Sequence, residues 1–172
     1  MKAFLLAALF CFALSATAAF AAPKINKHDW EVGGGFNFSH LSREENLPSK
    51  AQNNFSLRGI GQYFLADELS AGAEISVNAS GGNTYVQAGP IITKYIFVDD
   101  KLAPYLSMLP IVVKTASNVP AGYRSTVRAG AKYFLNDSVA VGPALEYSHD
   151  WESGPYRSQE NFSFLGLFSI HL

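Results

Sequence analysis

Hydrophobic and polar residues alternate one position at a time in eight stretches of the chain: His28 to His40, Asn54 to Phe64, Leu69 to Ala79, Tyr85 to Phe97, Pro104 to Thr115, Tyr123 to Phe134, Val139 to Tyr147, and Asn161 to Leu172. A period of two over such lengths, with clusters of Asp, Asn, Gly, Ser and Pro between, is the signature of strands joined as hairpins. The stretches match, with a little excess, the roughly 9–11 residues of a tilted strand that crosses a membrane. No segment after Ala22 repeats hydrophobicity at the helical period, and none approaches helical spanning length. The connections alternate too. Ala66-Asp67-Glu68, Val98 to Leu102 and Asn136-Asp137-Ser138 are tight, whereas Leu41 to Asn53, Ser80 to Thr84, Ala116 to Gly122 and His149 to Glu160 are mostly longer. Short turns at one end and longer loops at the other predict an all-β, eight-stranded, antiparallel up-and-down transmembrane barrel.

The parity of the charges supports this. Trp30, Val32, Gly34, Phe36 and Phe38 share one face of the first strand, and Glu31, Asn37 and Ser39 the other. In the second, Phe55, Leu57, Gly59, Gly61 and Tyr63 oppose Ser56, Arg58 and Gln62; in the third, Leu69, Ala71, Ala73, Ile75 and Val77 oppose Ser70, Glu74, Ser76 and Asn78. The sixth sets Tyr123, Val127, Ala129, Ala131 and Tyr133 against Arg124, Thr126, Arg128 and Lys132. The seventh opposes Val139, Val141, Leu145 and Tyr147 to Glu146, and the last opposes Phe162, Phe164, Phe168, Ile170 and Leu172 to Ser163, Ser169 and His171. Lys94 and Lys114 are assigned to the polar faces of the fourth and fifth strands. A soluble sandwich would alternate as well, but around a dry core of Val, Ile and Leu. Here the polar face is rich in Gly, Ser and possible Arg–Glu pairs, and the apolar face ends in aromatics.

Those aromatics form two bands. Trp30, Tyr63, Tyr95, Phe97, Tyr105 and Tyr133 lie near the short-turn end, and Phe38, Phe55, Tyr85, Tyr123, Tyr147 and Phe162 near the long-loop end. Rings with one polar edge favour the headgroup level, so two girdles are expected of an embedded barrel. There is also an internal repeat: Arg58-Gly-Ile-Gly-Gln-Tyr-Phe-Leu-Ala-Asp67 aligns with Arg128-Ala-Gly-Ala-Lys-Tyr-Phe-Leu-Asn-Asp137, and Lys94-Tyr-Ile-Phe-Val-Asp99 echoes the end of both.

Composition sharpens the class. The 172 residues are 48% hydrophobic and 13% aromatic but only 16% charged, with a net charge of −1, while mean hydropathy is only +0.07. This excludes a polybasic nucleic-acid binder and a highly charged disordered chain. Met1 to Ala21 reads as a secretory signal, with Lys2, an apolar run from Ala3 to Leu14, and the small-x-small site Ala19-Phe20-Ala21. The expected mature domain is therefore 22–172, with a net charge of −2 once Lys2 is gone. The only cysteine, Cys11, lies in the signal, so a cysteine nucleophile, disulfide or cysteine metal site is not expected in the mature chain.

The sequence resembles the small OmpA/OmpX-type family of eight-stranded outer-membrane barrels. The resemblance runs from His28 to Leu172 and is carried by the Gln62-Tyr-Phe-Leu-Ala-Asp67 and Lys132-Tyr-Phe-Leu-Asn-Asp137 hairpins. The closing run through Phe162, Phe164, Gly166, Phe168, Ile170 and Leu172 is similar to the terminal strand read by the barrel-assembly machinery, and departs from it by ending in Leu rather than Phe. The resemblance implies a bacterial outer-membrane location, contact with outer-membrane lipid and with that machinery, and a monomer. No cofactor, metal or nucleic acid is implied, and no surface ligand is identified.

The candidate chemistry lies on the polar face. Arg58 and Glu74, on hairpin neighbours, are expected to pair inside the barrel, with Arg124, Arg128, Lys132 and Glu146 as a second cluster and Lys94 also in the lumen. A barrel of eight strands is just wide enough to be filled by side chains, so a structural plug is favoured over a narrow ion channel. Leu106, Met108, Leu165 and Leu167 are expected to point inward and narrow the lumen further. His40-Leu-Ser42-Arg-Glu44 offers Ser, His and carboxylate at the outer rim, as an outer-leaflet lipid-modifying enzyme would need, but residues so close in sequence do not make a relay, and no catalysis is expected. His149-Asp150-Trp151-Glu152 matches no metal-ligand spacing and reads as a solvated loop with Trp151 at the interface. Gly33-Gly34-Gly35 precedes no helix, so it is no phosphate loop; it is expected to relieve crowding where the strand bends.

Overall fold

The computed structural model describes residues 27–41, 52–80, 83–96, 98, 101–116, 119–151 and 159–172. They form eight strands: β1 (Trp30–Leu41), β2 (Gln52–Ala66), β3 (Leu69–Ser80), β4 (Asn83–Tyr95), β5 (Leu102–Ala116), β6 (Val119–Phe134), β7 (Val139–Trp151) and β8 (Gln159–His171). Each pairs antiparallel with its sequence neighbours, and β1 pairs with β8, so the sheet closes into a barrel in strand order. Trp30 and Leu172 exchange backbone hydrogen bonds of 2.9 and 2.8 Å at that closure. The expected signal segment lies outside the described residues.

The barrel is inverted relative to a soluble domain. Phe162, Phe164, Leu145 and Phe36 point outward with exposures of 81%, 67%, 65% and 61%, whereas Arg128 is 1% exposed and Glu31 2%. Burial against water cannot account for that arrangement; an apolar surroundings can. Trp30, Tyr63 and Tyr133 lie at the turn end of the apolar face and Phe55, Tyr123, Tyr147 and Phe162 at its loop end. The ring pairs Trp30–Tyr63 and Tyr147–Phe162 pack at 5.2 and 4.9 Å between centroids. The side chain of Phe38, and Phe97 altogether, fall outside the described residues.

Three expected girdle residues turn the other way. Tyr95 and Tyr105 are buried inside the barrel, and Tyr85 shares the inward parity of Gln87 and Ile91, its ring lying under the Lys114 ammonium at 5.0 Å. In β4 the parity was read from Lys94, but this lysine sits at the rim on the parity of the outward Ile92. Its flexible stem carries the charge to Glu68 in the β2–β3 turn, Nζ–Oε2 2.5 Å. Lys94 is therefore not a lumen residue.

In β5 the cause is a bulge. Leu109 pairs with Thr126 and Val112 with Arg124, so Pro110 and Ile111 stand opposite Ser125 alone. Proline has no N–H to give to a ladder, and an extra residue moves everything beyond it to the other face. Counting back from the inward Lys114 hence mis-assigns the first half of the strand: Tyr105, Ser107 and Leu109 are the buried residues, while Leu106 and Met108 take the outward parity. Leu165 and Leu167 are buried in the interior.

The Ser125 hydroxyl donates to the Pro110 carbonyl at 2.6 Å and accepts from the Trp151 indole N–H at 3.1 Å. Removing it leaves the freed carbonyl without that donor on the outward face. Ser125→Ala is expected to lower unfolding stability by about 1 kcal/mol, with Ser125→Thr close to the parent, as measured by urea titration in lipid vesicles.

β7 runs four residues past its predicted end, to Trp151, because polar inward residues continue the ladder where hydrophobic alternation fades. The stretch His149 to Trp151 is thus strand rather than solvated loop; His149 lies edge-on to Trp151 at 5.1 Å, and Trp151 is 51% exposed. Gly33 to Gly35 lies in the tight contact of β1 with β2 and β8, where a Cβ on Gly35 would come within 2.3 Å of Leu167.

Candidate functional site

Inward parity stacks the polar residues in layers along the barrel axis. At the turn end, Phe64 and Phe134 flank the His171 ring, at 6.0 and 5.2 Å between centroids. Above them Lys132 is ion-paired with Glu31 and donates to the Tyr95 oxygen at 2.8 Å, while Tyr95 donates to Glu31 Oε2 at 2.5 Å. The ammonium also lies over the Tyr95 and Tyr105 rings, 4.9 and 5.6 Å from their centroids. Gln62, Ser70, Thr93 and Ser107 form an uncharged patch beside this layer; Thr93 donates to Gln62 Oε1 at 2.8 Å and its hydroxyl meets that of Ser107 at 2.8 Å.

The centre holds a square of two arginines and two glutamates. Arg58 Nη1 lies 3.3 Å from Glu74 and 2.7 Å from Glu146; Arg128 Nη2 lies 2.6 Å from Glu146 and 2.9 Å from Glu74. The Arg128–Glu74 approach is an ion pair at Oε2, with the aligned hydrogen bond made to Oε1 at 3.1 Å. Arg58 and Arg128 occupy equivalent positions of the internal repeat, seventy residues apart. The β2–β3 and β6–β7 hairpins that carry them lie on opposite sides of the barrel, so each arginine grips a glutamate of its own hairpin and one across the lumen.

Toward the loop end a third layer is built on Asp150. Arg124 holds it with two bonds, Nε–Oδ1 2.5 Å and Nη2–Oδ2 2.9 Å, and Lys114 lies 3.8 Å away.

The grouping therefore differs from the sequence expectation. Arg58 and Glu74 do meet, but Arg128 and Glu146 join them in one cluster, while Lys132 pairs below with Glu31 and Arg124 above with Asp150. Sequence reading placed Glu31 on the polar face without giving it a partner, and put Asp150 in a loop. A signal for Asp150 existed: counting outward from the Asn136–Ser138 turn sets Arg128 opposite Glu146 and, two inward positions on, Arg124 opposite Asp150. Nothing comparable marked Glu31, whose partner lies on a strand remote in sequence.

No protein-family model and no curated protein matches the sequence. Solved structures do match in shape. The N-terminal β-barrel domain of Pseudomonas aeruginosa OprF superposes with a TM-score of 0.61 at 13% identity, over 86% of this chain and 99% of that one. Neisserial surface protein A (NspA) gives 0.62 at 10% identity, over 83% and 95%. This chain has the fold of the small eight-stranded outer-membrane barrels. The outer-membrane protein OprG of Pseudomonas aeruginosa is similar at a TM-score of 0.50 and 13% identity, covering 86% and 97%. At such identities the likeness lies in the barrel itself, and the lumen of this outer-membrane-type barrel must be read from its own residues.

Chemically, the charged groups of the lumen pair with one another, while Arg58 Nε, Tyr105 Oη and His171 Nδ1 are buried without a hydrogen-bond partner. Among the described residues the four buried lumen carboxylates, Glu31, Glu74, Glu146 and Asp150, each have a cationic partner within 3 Å, so that each links its strand to another. A void between the lower two layers, bordered by Glu31, Gln62, Tyr105, Arg128 and Lys132, has a volume of about 10 Å³, near the least that holds one water. Among the described residues no group of three or more His, Cys, Asp or Glu is placed to hold a metal ion. The His40-Ser42-Glu44 set lies outside them, apart from the backbone of His40.

Proposed function

We propose that the protein is a monomeric barrel of the bacterial outer membrane, inserted after removal of residues 1–21, with a structural or surface-interaction role and no catalysis. The observation that carries this reading is the Arg58–Glu146 and Arg128–Glu74 pairing across the lumen, which ties opposite walls together above a water-sized void. Support for the membrane comes from the outward apolar face with aromatics at both ends, whose energetic logic is that of a chain solvated by lipid. The outward Phe164, Phe168, Ile170 and Leu172 of the last strand are what the barrel-assembly machinery would read.

Two measurements test it. Envelope fractionation with gels of unheated and boiled samples is expected to place the protein in the outer membrane with a heat-dependent mobility; a soluble periplasmic protein with one mobility would sink the assignment. In planar bilayers the purified protein is expected to give no steady conductance. Reproducible channel events that change in Arg58→Ala would replace the structural reading with that of a narrow channel.

A further inference from the structure

The seam that closes the barrel is paired along only part of its length. β1 and β8 are in register from Glu31–His171 to Phe36–Gly166, and there the ladder stops. β1 nevertheless continues to Leu41 against β2, and β8 begins at Gln159 against β7. The loop-end half of this seam thus lacks the strand-to-strand ladder that every other neighbouring pair keeps there. Open sheet edges do not face lipid unaided, because their backbone groups find no partner in hydrocarbon. Such an edge is tolerated where it borders a polar, accessible space.

The inward residues bordering the gap supply that space. Asn37, Ser56 and Asn78 follow one another in register across β1, β2 and β3, and on the other side of the gap Ser148 of β7 pairs with Asn161 of β8, with Ser163 one inward position below. Asn37, Ser56, Asn78, Asn161 and Ser163 face inward yet keep partial exposure, unlike the charged centre beneath them. The Ser56 hydroxyl is buried without a hydrogen-bond partner. The charges at this level, Arg124 and Lys114 with Asp150, are paired with one another on the β5–β7 wall, and Glu146 below is held by Arg58 and Arg128, so the described inward residues that border the seam itself are uncharged. Hydroxyls and primary amides both donate and accept, so this lining matches an uncharged, hydroxyl-rich group better than an ion. On the outward side a groove of about 410 Å³ lies over β6, β7 and β8, lined by Val127, Ala129, Leu145 and Tyr147, with Phe162 and Phe164 of β8 as its border toward the seam.

We propose that the outer half of the lumen binds the uncharged, hydroxyl-rich headgroup of an amphiphile, which enters sideways through the open half of the β1–β8 seam and leaves its chain in the groove beside Phe162 and Phe164. The inference rests on the barrel's lying in a bilayer, which the heat-dependent gel mobility tests separately on the same preparation.

The experiment titrates the full mature chain, in phosphatidylcholine nanodiscs, with hexyl β-D-glucoside, glucose, hexanol and hexyl phosphate, following amide NMR shifts. Saturable glucoside binding is expected, with each of the other three roughly tenfold weaker or worse. Asn37→Leu combined with Ser56→Val is expected to weaken the glucoside roughly tenfold. Ser163→Val, a single small change on the other border, weakens it in the same direction and keeps the test open should the double variant fail to fold. Glucose binding as tightly as its hexyl derivative would overturn the sideways route, since a free sugar enters from water. Hexanol equal to the glucoside would mean a greasy groove with no headgroup site, and hexyl phosphate equal to it would overturn the uncharged chemistry. A heat-shifted barrel with no saturable glucoside binding defeats this inference alone, whereas loss of the heat shift defeats the membrane reading.

Discussion

Arg128→Met is expected to lower the unfolding free energy by about 3–5 kcal/mol, the range for removing one partner of a buried ion pair. Arg128 is 1% exposed and bonds both Glu74 and Glu146. Its loss leaves two buried carboxylates to share Arg58 alone, beside a void of about 10 Å³ that is near the least that holds one water. Arg58 offers little relief, because it already serves both glutamates and its Nε is itself unpartnered. The damage should come from the orphaned charges rather than from the lost attraction. Adding Arg58→Met, Glu74→Gln and Glu146→Gln to Arg128→Met, so that no member of the cluster is left as a lone buried charge, should therefore recover much of the stability, since replacing a whole buried network by neutral groups is often nearly free of cost. Urea titrations in lipid vesicles, read by gel mobility without heating, measure both. Equal losses in the single and quadruple variants would mean that Arg128 acts through packing alone.

Gly142→Ala should be at least as damaging. A Cβ there would lie 1.8 Å from the Ala131 carbonyl oxygen, and the contact is with backbone, so no side chain can move aside. Gly72, seventy residues earlier and so at the same offset as the repeat, is in the same position against the Gly61 carbonyl at 1.9 Å. To admit a methyl group, β7 must separate from β6, or β3 from β2, within a closed ring where each strand's displacement is passed to the next. Either substitution is expected to cost more than about 4 kcal/mol and to abolish the heat-shifted band. Gly61→Ala is the internal control: nothing lies within 4 Å of its Cβ position, and the change should stay within about 0.5 kcal/mol. Similar behaviour of Gly61→Ala and Gly72→Ala would show that glycine content, not close approach, matters in this hairpin.

The same repeat illustrates how much of the fold was legible. Arg58 and Arg128 stood at matching places in two hairpins, and their inward parity followed from the apolar residues on either side. What could not be read was that the two hairpins face each other across the barrel and exchange partners, for that depends on closing the ring between β1 and β8. The failures cluster on β4 and β5. There the inward face combines Ile91, Leu109 and Val112 with Thr93 and Ser107, so hydrophobicity no longer separates inside from outside. Lys94 then misled because a long side chain at the rim can leave the face its Cα occupies, and Tyr95 and Tyr105 followed it to the wrong side. Asp150 was lost for a related reason: polar residues at the loop end look like loop until their hairpin partners are counted.

The sequence by itself determined the number of strands, their antiparallel order, the faces of six of them and the burial of charge, because alternation at period two is a local property that each strand carries alone. Tertiary structure decided the rest. The bulge at Pro110–Ile111 switches faces in the middle of a strand, the four central charges become one cluster through contacts between residues up to 88 positions apart, and the closing ladder ends at Phe36–Gly166. Each depends on where a strand meets a neighbour distant in sequence, and the spacing of residues along one strand carries no record of that meeting.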